Sequence, residues 1–296
     1  MTTYDPPRPW ISSYAEGVPE DLAPVQGSLL SILEASAREY PDAPALEFFG
    51  GTTSYAQLLA QVERAAGGLR ELGVAPGDPV AIVLPNCPQH IVAFYAVLRL
   101  GAVVVEHNPL YTPSELRKQF GDHEAKHAIV WNNVVATVQA FPAELRVHNL
   151  ISVDVTRAMP LKMRALLRLP IAKARESREA LTTAVAGTVR WEDVLRAAPI
   201  GPGVAVPETD DLAIIQYTSG TTGTPKGAAL THRNLLPNAA QARSSVPTIT
   251  RGPGCVVYAV LPMFHAYGLT LCLTFAMSMG ARLVLFPKVD PDMVFE

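Results

Sequence analysis

Short apolar runs alternate with helical segments through the first half of the chain, and this alternation constrains the fold more than any other feature. Buried strands are predicted over 79–84 and 102–106, with a largely apolar helix over 88–100 between them. Two further strands are predicted over 127–131 and 150–153. Strands that alternate with helices favour a parallel sheet with helices on its faces. We therefore predict an α/β fold in which ligands lie beyond the carboxyl ends of the strands.

Local turn and capping signals set the expected boundaries of several elements. Residues 45–55 predict a hairpin with a Gly-Gly turn, and Ser54 and Gln57 fit a capping box that opens the next helix. Thr112–Glu115 supplies in order an N-cap, a helix-first proline and a capping glutamate. We expect this second helix to end near Phe120.

Composition limits the classes of function. The chain has 296 residues, 49% of them hydrophobic, and its net charge of −3 gives no reason to expect nucleic acid. The three cysteines lie in apolar surroundings without metal-binding spacing, which is typical of reduced thiols in a cytoplasmic protein. The first ten residues are polar and proline-rich, so they do not resemble a secretory signal.

A glycine- and hydroxyl-rich loop follows an apolar strand predicted over 211–216 and precedes a helix start at Thr231. Its glycines let backbone N–H groups approach a ligand, and Lys226 adds a mobile positive charge, so we predict a polyphosphate-binding loop between a strand and a helix. It differs from a Walker loop, because Pro225 precedes the lysine and Gly227 occupies the position of the Mg²⁺-binding Ser/Thr. Composition alone leaves a plain surface loop as the alternative. The predicted binding residues are Tyr217, Thr218, Ser219, Gly220, Thr221, Thr222, Gly223, Thr224, Pro225, Lys226 and Gly227.

The same loop carries a resemblance to a known family. Tyr217–Gly227 (YTSGTTGTPKG) resembles the signature loop of the adenylate-forming superfamily, which includes acyl-CoA synthetases and firefly luciferase. Asn108–Pro113 (NPLYTP) and Leu261–Leu269 (LPMFHAYGL) resemble its long-chain fatty-acid–CoA ligase branch. The resemblance extends from about Pro41 to Pro287.

The resemblance implies a domain organisation. Residues 1–40 would be an N-terminal arm and first helix, and 41–296 part of the large AMP-binding N-terminal domain. Within it, 156–190 is a basic amphipathic insertion and 201–207 a linker. The last residues resemble the first turn of a helix, and the family's adenine, ribose and C-terminal lysine motifs are not found. We therefore expect a fragment that lacks the C-terminal domain and has little activity alone.

The resemblance also implies the chemistry. ATP and a fatty acid would form an acyl-adenylate, and coenzyme A would then displace AMP. Lys226 would act on the phosphates, and Thr218 would be a ligand of Mg²⁺. His265 would orient the carboxylate or line the acyl gate, although a buried structural histidine is the alternative. The six other histidines show no metal-ligand spacing and are expected to be structural.

Other functions stay open at this point. Within the superfamily they are an aryl or short-chain acid–CoA ligase and an acyl-AMP ligase; outside it, a non-catalytic nucleotide- or lipid-binding module. Residues 157–178 contain seven basic residues and one acid, a local charge of +6, which predicts contact with an anionic membrane or else a solvated insertion. We expect a cytoplasmic protein, peripheral at the inner membrane surface in the first case. A homodimer through the apolar helices is a further expectation.

Overall fold

The computed structural model describes residues 8–201, 204, 206–218 and 226–288, and these form strands and helices in alternation. The strands are β1 Pro44–Phe48, β2 Gly51–Ser54, β3 Pro79–Val83, β4 Val103–Glu106, β5 His127–Trp131, β6 Asn149–Val153, β7 Val189–Arg190, β8 Leu212–Thr218, β9 Lys226–Thr231, β10 Val256–Ala259 and β11 Arg282–Leu285. The helices are α1 Leu29–Glu39, α2 Tyr55–Glu71, α3 Pro88–Arg99, α4 Pro113–His123, α5 Asn132–Gln139, α6 Leu161–Leu166, α7 Ala172–Leu181, α8 Trp191–Val194, α9 His232–Ser244, α10 Ala266–Gly268 and α11 Ala276–Ser278. Short 3₁₀ turns lie at Pro9–Ser13, Ala143–Leu145 and Val155–Ala158, and Leu269–Phe275 is π-helical.

The larger sheet has the strand order β7-β6-β5-β3-β4-β8-β9. Every neighbouring pair in it is parallel except β8 and β9, which are antiparallel. The carboxyl ends of β3, β4, β5, β6 and β8 therefore lie along one edge of the sheet, where ligands of open α/β sheets bind. The predicted α/β fold with a parallel sheet is confirmed.

The smaller sheet has the order β10-β11-β1-β2, in which only β1 and β2 are antiparallel. The predicted hairpin forms its antiparallel end. Its turn places Phe49 (φ 49°) and Gly50 (φ 78°) in the left-handed region, which is the requirement of a two-residue hairpin turn. Gly51 already belongs to β2, so the Gly-Gly pair straddles the end of the turn.

Helix α3 packs between the two sheets, against β3 and β4 on one side and β1 on the other. All twelve of its residues are buried, which agrees with its largely apolar sequence. Its polar side chains, Gln89, His90 and Arg99, have hydrogen-bond partners in the interior. Helix α1 also belongs to this core, because Leu29, Leu30 and Leu33 are fully buried in it. Each such leucine contributes about 1.5–3 kcal/mol by its removal from water.

The predicted capping signals form at the expected positions. Ser54 and Gln57 make a capping box at the start of α2, and Thr112 and Glu115 make another at the start of α4. Helix α4 ends at His123, three residues later than predicted. It ends because Glu124 adopts a left-handed conformation (φ 50°) and its N–H returns to the carbonyl of Phe120 at 3.1 Å.

The basic segment 157–178 folds as α6 and most of α7 on the protein surface. Met163 and Leu167, four residues apart, pack against the main core, while most of the basic side chains point to solvent. Among the described residues, no helix has both the length and the apolar character needed to cross a membrane.

Candidate functional site at the carboxyl edge of the larger sheet

Strands β8 and β9 form a hairpin that closes the predicted phosphate loop. Thr218 pairs with Lys226, and Tyr217 pairs with Gly227, so the two ends of the loop meet at the carboxyl edge of the sheet. The prediction that the loop leads from a strand into a helix is wrong, because β9 intervenes and α9 begins only at His232. The predicted binding residues Ser219, Gly220, Thr221, Thr222, Gly223, Thr224 and Pro225 lie outside the described residues.

Thr218 and Lys226 present a hydroxyl group and an ammonium group on facing positions of the hairpin. Directly opposite residues of an antiparallel pair have Cα atoms about 4.5–5.5 Å apart. Both side chains are exposed at the edge where the loop begins and ends. A mobile cation beside a hydroxyl donor fits a polyphosphate, and the Thr218 oxygen is a hard ligand of the kind Mg²⁺ prefers. Among the described residues, no group of three or more His, Cys, Asp or Glu side chains could hold a metal by itself.

At Gly227 the backbone of β9 lies close to side chains of the neighbouring strand β8. A Cβ added to it would lie 2.8 Å from Cγ2 of Ile215 and 3.4 Å from the ring of Tyr217. Packing against the neighbouring strand therefore requires glycine here, and this requirement is independent of any ligand. The predicted contact of Gly227 with phosphate stays a prediction.

Tyr217 fixes the base of the hairpin against α4. Its hydroxyl donates to Oδ2 of Asp122 at 2.6 Å, and its ring stacks on His107 with the centroids 5.9 Å apart. Burial and the Asp122 carboxylate raise the pKa of Tyr217 well above its ordinary value, so the phenol stays protonated.

Two histidines beside Tyr217 are neutral. Burial lowers the pKa of His107 to about 4, and burial together with the nearby His107 lowers the pKa of His123 to about 2. Their rings lie 5.0 Å apart, and Nδ1 of His107 donates to Oε1 of Gln119 at 2.6 Å. The stack is thus a packed support of the hairpin, in agreement with a structural role for these histidines.

Gln216 connects the hairpin to the segment that carries His265. The Gln216 side chain is buried, and its Nε2 donates to the carbonyl oxygen of Phe264 at 2.7 Å. His265 follows directly, is exposed, and occupies the N-cap position of the short helix α10 without a capping hydrogen bond from its side chain. The structure therefore brings the segment of His265 to the end of β8, as the sequence prediction requires. Because its side chain is exposed, His265 is not the buried structural histidine that the alternative described.

Asn86 holds the same segment to the end of β3, a role that the sequence analysis did not identify. Its buried amide nitrogen donates to the carbonyl oxygens of Ala259 and Leu261, both at 2.8 Å, and its Oδ1 accepts from the N–H of Met263 at 2.9 Å. The one local sign is its position shortly after an apolar strand, three residues beyond Val83, since polar residues near such ends often serve a site.

Gly268 allows the segment to fold back tightly on itself. A Cβ at this position would overlap the carbonyl oxygen of Pro262 and lie 2.6 Å from its carbonyl carbon. The chain then continues as a π-helix over Leu269–Phe275, a rare geometry that occurs frequently at functional sites.

A fully buried pair, His90 and Glu106, lies where β4 ends. Nε2 of His90 is 3.0 and 3.1 Å from the two carboxylate oxygens, and Nδ1 is 3.2 Å from the carbonyl oxygen of Pro85. A carbonyl only accepts, so Nδ1 carries a proton, and the contact of Nε2 with the carboxyl group requires a second one. The two side chains are thus joined by a hydrogen bond in the interior, and Glu106 is directly paired with Gln216 across β4 and β8.

Comparison with known proteins identifies a family that matches most of the chain. A family model described as "AMP-binding enzyme" matches residues 33–296. The chain is 32% identical to a long-chain-fatty-acid–CoA ligase of Bacillus subtilis, over 96% of this chain and 50% of the relative. It is 34% identical to 4-coumarate–CoA ligase 2 of Oryza sativa, over 86% of this chain and 43% of the relative.

A solved structure shares the fold. The crystal structure of a long-chain-fatty-acid–CoA ligase from Archaeoglobus fulgidus superposes with a TM-score of 0.76 at 22% identity, over 95% of this chain and 51% of that one. The chain thus spans about half the length of the curated relatives and of the solved structure it matches.

Proposed function

Because the chain belongs to the AMP-binding enzyme family, we propose that it forms the nucleotide-binding half of an AMP-forming fatty-acid–CoA ligase. The observation that carries the proposal is the hairpin, which holds Lys226 opposite Thr218 at the ligand-binding edge of the sheet. The long-chain-fatty-acid–CoA ligase of Bacillus subtilis, which matches over almost the whole chain, supports fatty acids as the substrate class.

The proposed reaction has two steps, because the carboxylate must be activated before it can be transferred to coenzyme A. The carboxylate oxygen attacks the α-phosphorus of ATP, the bond to the β-phosphate breaks, and pyrophosphate leaves with the electron pair. The thiol of coenzyme A then attacks the activated carbonyl carbon, AMP leaves, and the thiol proton passes to solvent. Activation is needed because a carboxylate has a poor leaving group, whereas the mixed anhydride with AMP has a good one.

Negative charge grows on the departing pyrophosphate, and we propose that Lys226 and Thr218 of the hairpin stabilise it. Lys226 supplies a positive charge and Thr218 a hydroxyl group at the same end of the hairpin. A magnesium ion bound by the phosphates would supply further charge neutralisation, with the Thr218 hydroxyl among its ligands. Tyr217, Asp122 and Gln216 hold the strands at this point, which keeps the donors oriented before the reaction.

The segment of His265 is the best-supported position for the acid to be activated. Gln216 connects this segment to the hairpin, so a carboxylate bound beside His265 would lie close to the phosphates that Lys226 contacts. The exposed imidazole can donate a hydrogen bond to the carboxylate and so orient it.

Three other functions compete with this proposal. The rice relative is named for coumarate, so an aryl acid is the first of them. An acyl-AMP ligase would activate the acid and ignore coenzyme A. A non-catalytic binding module would keep the hairpin without turnover.

Pyrophosphate release by the full-length protein separates these functions. The substrates are acetate, benzoate, coumarate, laurate and palmitate, each with and without coenzyme A. We expect release that favours the long chains, and acyl-CoA only when coenzyme A is added. Lys226→Ala should lower kcat by about 10²–10³, as loss of one donor to a developing charge does. Lys118→Ala, which removes an exposed lysine from α4, is the matched control and should leave kcat unchanged.

Each other outcome identifies a competitor. Preference for benzoate or coumarate would replace the fatty acid by an aryl acid, and release without acyl-CoA would indicate an acyl-AMP ligase. If no acid is activated and nucleotide binding is the same in Lys226→Ala, the ligase proposal is refuted.

A further inference from the structure

The basic segment 157–178 combines exposed apolar side chains with exposed cations, a combination that its fold does not require. Leu161, Leu166, Leu169 and Ile171 are 79%, 44%, 45% and 55% exposed. These four lie within a stretch of eleven residues, and they are four of the eleven large apolar side chains that are exposed among the described residues. Large apolar groups that cluster at the surface mark an interaction site more often than isolated ones do.

The charge of the segment indicates which kind of partner fits this surface. The segment carries a local charge of +6 in a protein whose net charge is −3, so its positive field is a local feature. Lys162, Arg168, Lys173 and Arg175 are exposed and interleave with the apolar side chains. An anionic lipid bilayer offers both partners at once, because its head groups attract cations and its acyl region takes up apolar side chains.

A cavity of about 100 Å³ within the segment adds a place for a single phosphate group. Four arginines line it: Arg157, Arg164, Arg168 and Arg178. Asp154 is the one carboxylate among the described residues of its lining, and it lies 3.6 Å from Nε of Arg157. The lining of the cavity therefore has an excess of three positive charges. Guanidinium groups bind phosphate through paired hydrogen bonds, and a bound phosphate would remove their mutual repulsion.

The arginine cavity is held by contacts with the rest of the fold. Arg178 of α7 donates through Nη1 to the carbonyl oxygen of Leu167, at the end of α6, with a distance of 3.5 Å. Asp154 accepts hydrogen bonds from the N–H and the hydroxyl of Thr156 at 3.0 and 2.6 Å. The cavity is thus anchored directly after β6, whose carboxyl end lies on the same edge as the hairpin.

We propose that residues 157–178 dock the protein on an anionic phospholipid bilayer, with Leu161, Leu166, Leu169 and Ile171 inserted and a lipid phosphate in the arginine cavity. Three strands separate β6 from β8, so the end of β6 that precedes the arginine cavity lies about 19 Å from the hairpin along the edge, from four strand spacings of about 4.8 Å. If the proposed function holds, an acid dissolved in the bilayer would enter from the same edge that carries the phosphate loop.

Vesicle co-sedimentation tests the docking without any measure of enzyme activity. The vesicles contain phosphatidylcholine alone or a mixture with one third phosphatidylglycerol, at 0.1 M and 0.5 M NaCl. We expect binding to the anionic vesicles only, weakened at the higher salt because the longer-range attraction is screened.

Two variants separate the charged from the apolar part of the surface. Arg164→Gln/Arg168→Gln/Lys173→Gln should weaken binding about a hundredfold, since each basic residue near an anionic surface contributes roughly a factor of five. Leu161→Ser/Ile171→Ser should weaken it about tenfold or more, through loss of inserted apolar area. The control Arg38→Gln/Arg70→Gln/Arg117→Gln removes the same charge from exposed positions on α1, α2 and α4 and should bind almost as wild type does.

Thermal unfolding of each variant checks that the changes act on binding and not on folding, and equal midpoints are expected because the altered side chains are largely exposed. Equal binding to neutral and anionic vesicles would overturn the proposal. So would a triple variant of the segment that binds as its charge-matched control does. If the triple variant loses binding and the leucine–isoleucine variant keeps it, insertion is wrong and only an electrostatic contact remains.

Discussion

Replacement of Gly268 by alanine tests whether the segment that carries His265 is packed as the structure describes. The added Cβ would lie 2.6 Å from the carbonyl carbon of Pro262, whereas carbon atoms in contact are separated by about 3.5 Å. The obstructing atoms belong to the backbone, so no side chain can rotate away. The strand-to-helix segment must therefore move by about 1 Å, and His265 lies within the part that moves.

The displacement should affect both stability and activity. Overpacking of this kind costs about 1–3 kcal/mol of the free energy of unfolding. For a chain of this size the midpoint should fall by several degrees, at about 2–4 °C per kcal/mol. A misplacement of 1 Å in a positioning segment costs about a hundredfold in rate, so pyrophosphate release by the full-length protein should fall by a similar factor.

Gly254→Ala is the matched control, because a Cβ at Gly254 meets no atom within 4 Å and the backbone there is not left-handed. Calorimetry and the pyrophosphate assay on both variants make the comparison. If Gly268→Ala unfolds at the same temperature as Gly254→Ala and releases pyrophosphate equally fast, the close approach of Gly268 to Pro262 is not a feature of the protein in solution.

Two further perturbations act on the supports of the site. Asn86→Ala should lower the free energy of unfolding by about 3 kcal/mol, because each of the three hydrogen bonds of Asn86 contributes about 1 kcal/mol. Urea unfolding measures this loss, and a loss below about 1 kcal/mol would contradict the observed geometry. Stability should also fall as the pH drops from about 6.5 toward about 4, because His107 stays neutral in the folded protein while it takes up a proton when unfolded. Urea unfolding at pH 7, 5.5 and 4.5 measures the slope, and His107→Asn should reduce it; an unchanged slope in this variant would assign the pH dependence to other groups.

The fold could be predicted from the sequence where local signals and burial agree. Helix α3 is largely apolar, and the structure buries all twelve of its residues between two sheets. Capping signals such as Thr112 and Glu115 act over three residues and can be recognised without knowledge of the tertiary structure.

Strand β9 could not be predicted, because its sequence contains little that favours a strand. Lys226–Thr231 has one glycine, two alanines and a lysine, which are types depleted in strands, and its first four residues are exposed. It forms through backbone hydrogen bonds to β8, and those depend on the partner strand and not on its own side chains. The helix start that follows it was recognisable, and so the loop was predicted to lead directly into that helix.

The hydrogen bonds that hold the site together could not be predicted from short stretches of sequence either. Asn86 contacts residues more than 170 positions away, and Gln216 contacts one 48 positions away. Such hydrogen bonds leave no spacing pattern in the sequence. The π-helical hydrogen bonding of Leu269–Phe275 likewise has no known residue requirement that would mark it in an apolar helix.

The hairpin changes the electrostatic argument for the phosphate loop. In a strand–loop–helix arrangement the helix N-terminus would add positive potential at the phosphates, but α9 begins at the far end of β9. The five residue steps from Lys226 to Thr231 span about 17 Å in a strand, and the effect of a helix terminus decays within its first turn. Among the described residues of the hairpin, Lys226 is therefore the one that supplies a charged group at the end of the loop, and the Thr218 hydroxyl lies opposite it. For this reason Lys226→Ala should reduce kcat far more than the removal of any other lysine of residues 1–296. Substitution of His232, which is buried at the start of α9 and accepts a hydrogen bond from the N–H of Leu29, should lower the stability but leave the nucleotide affinity of the folded protein unchanged.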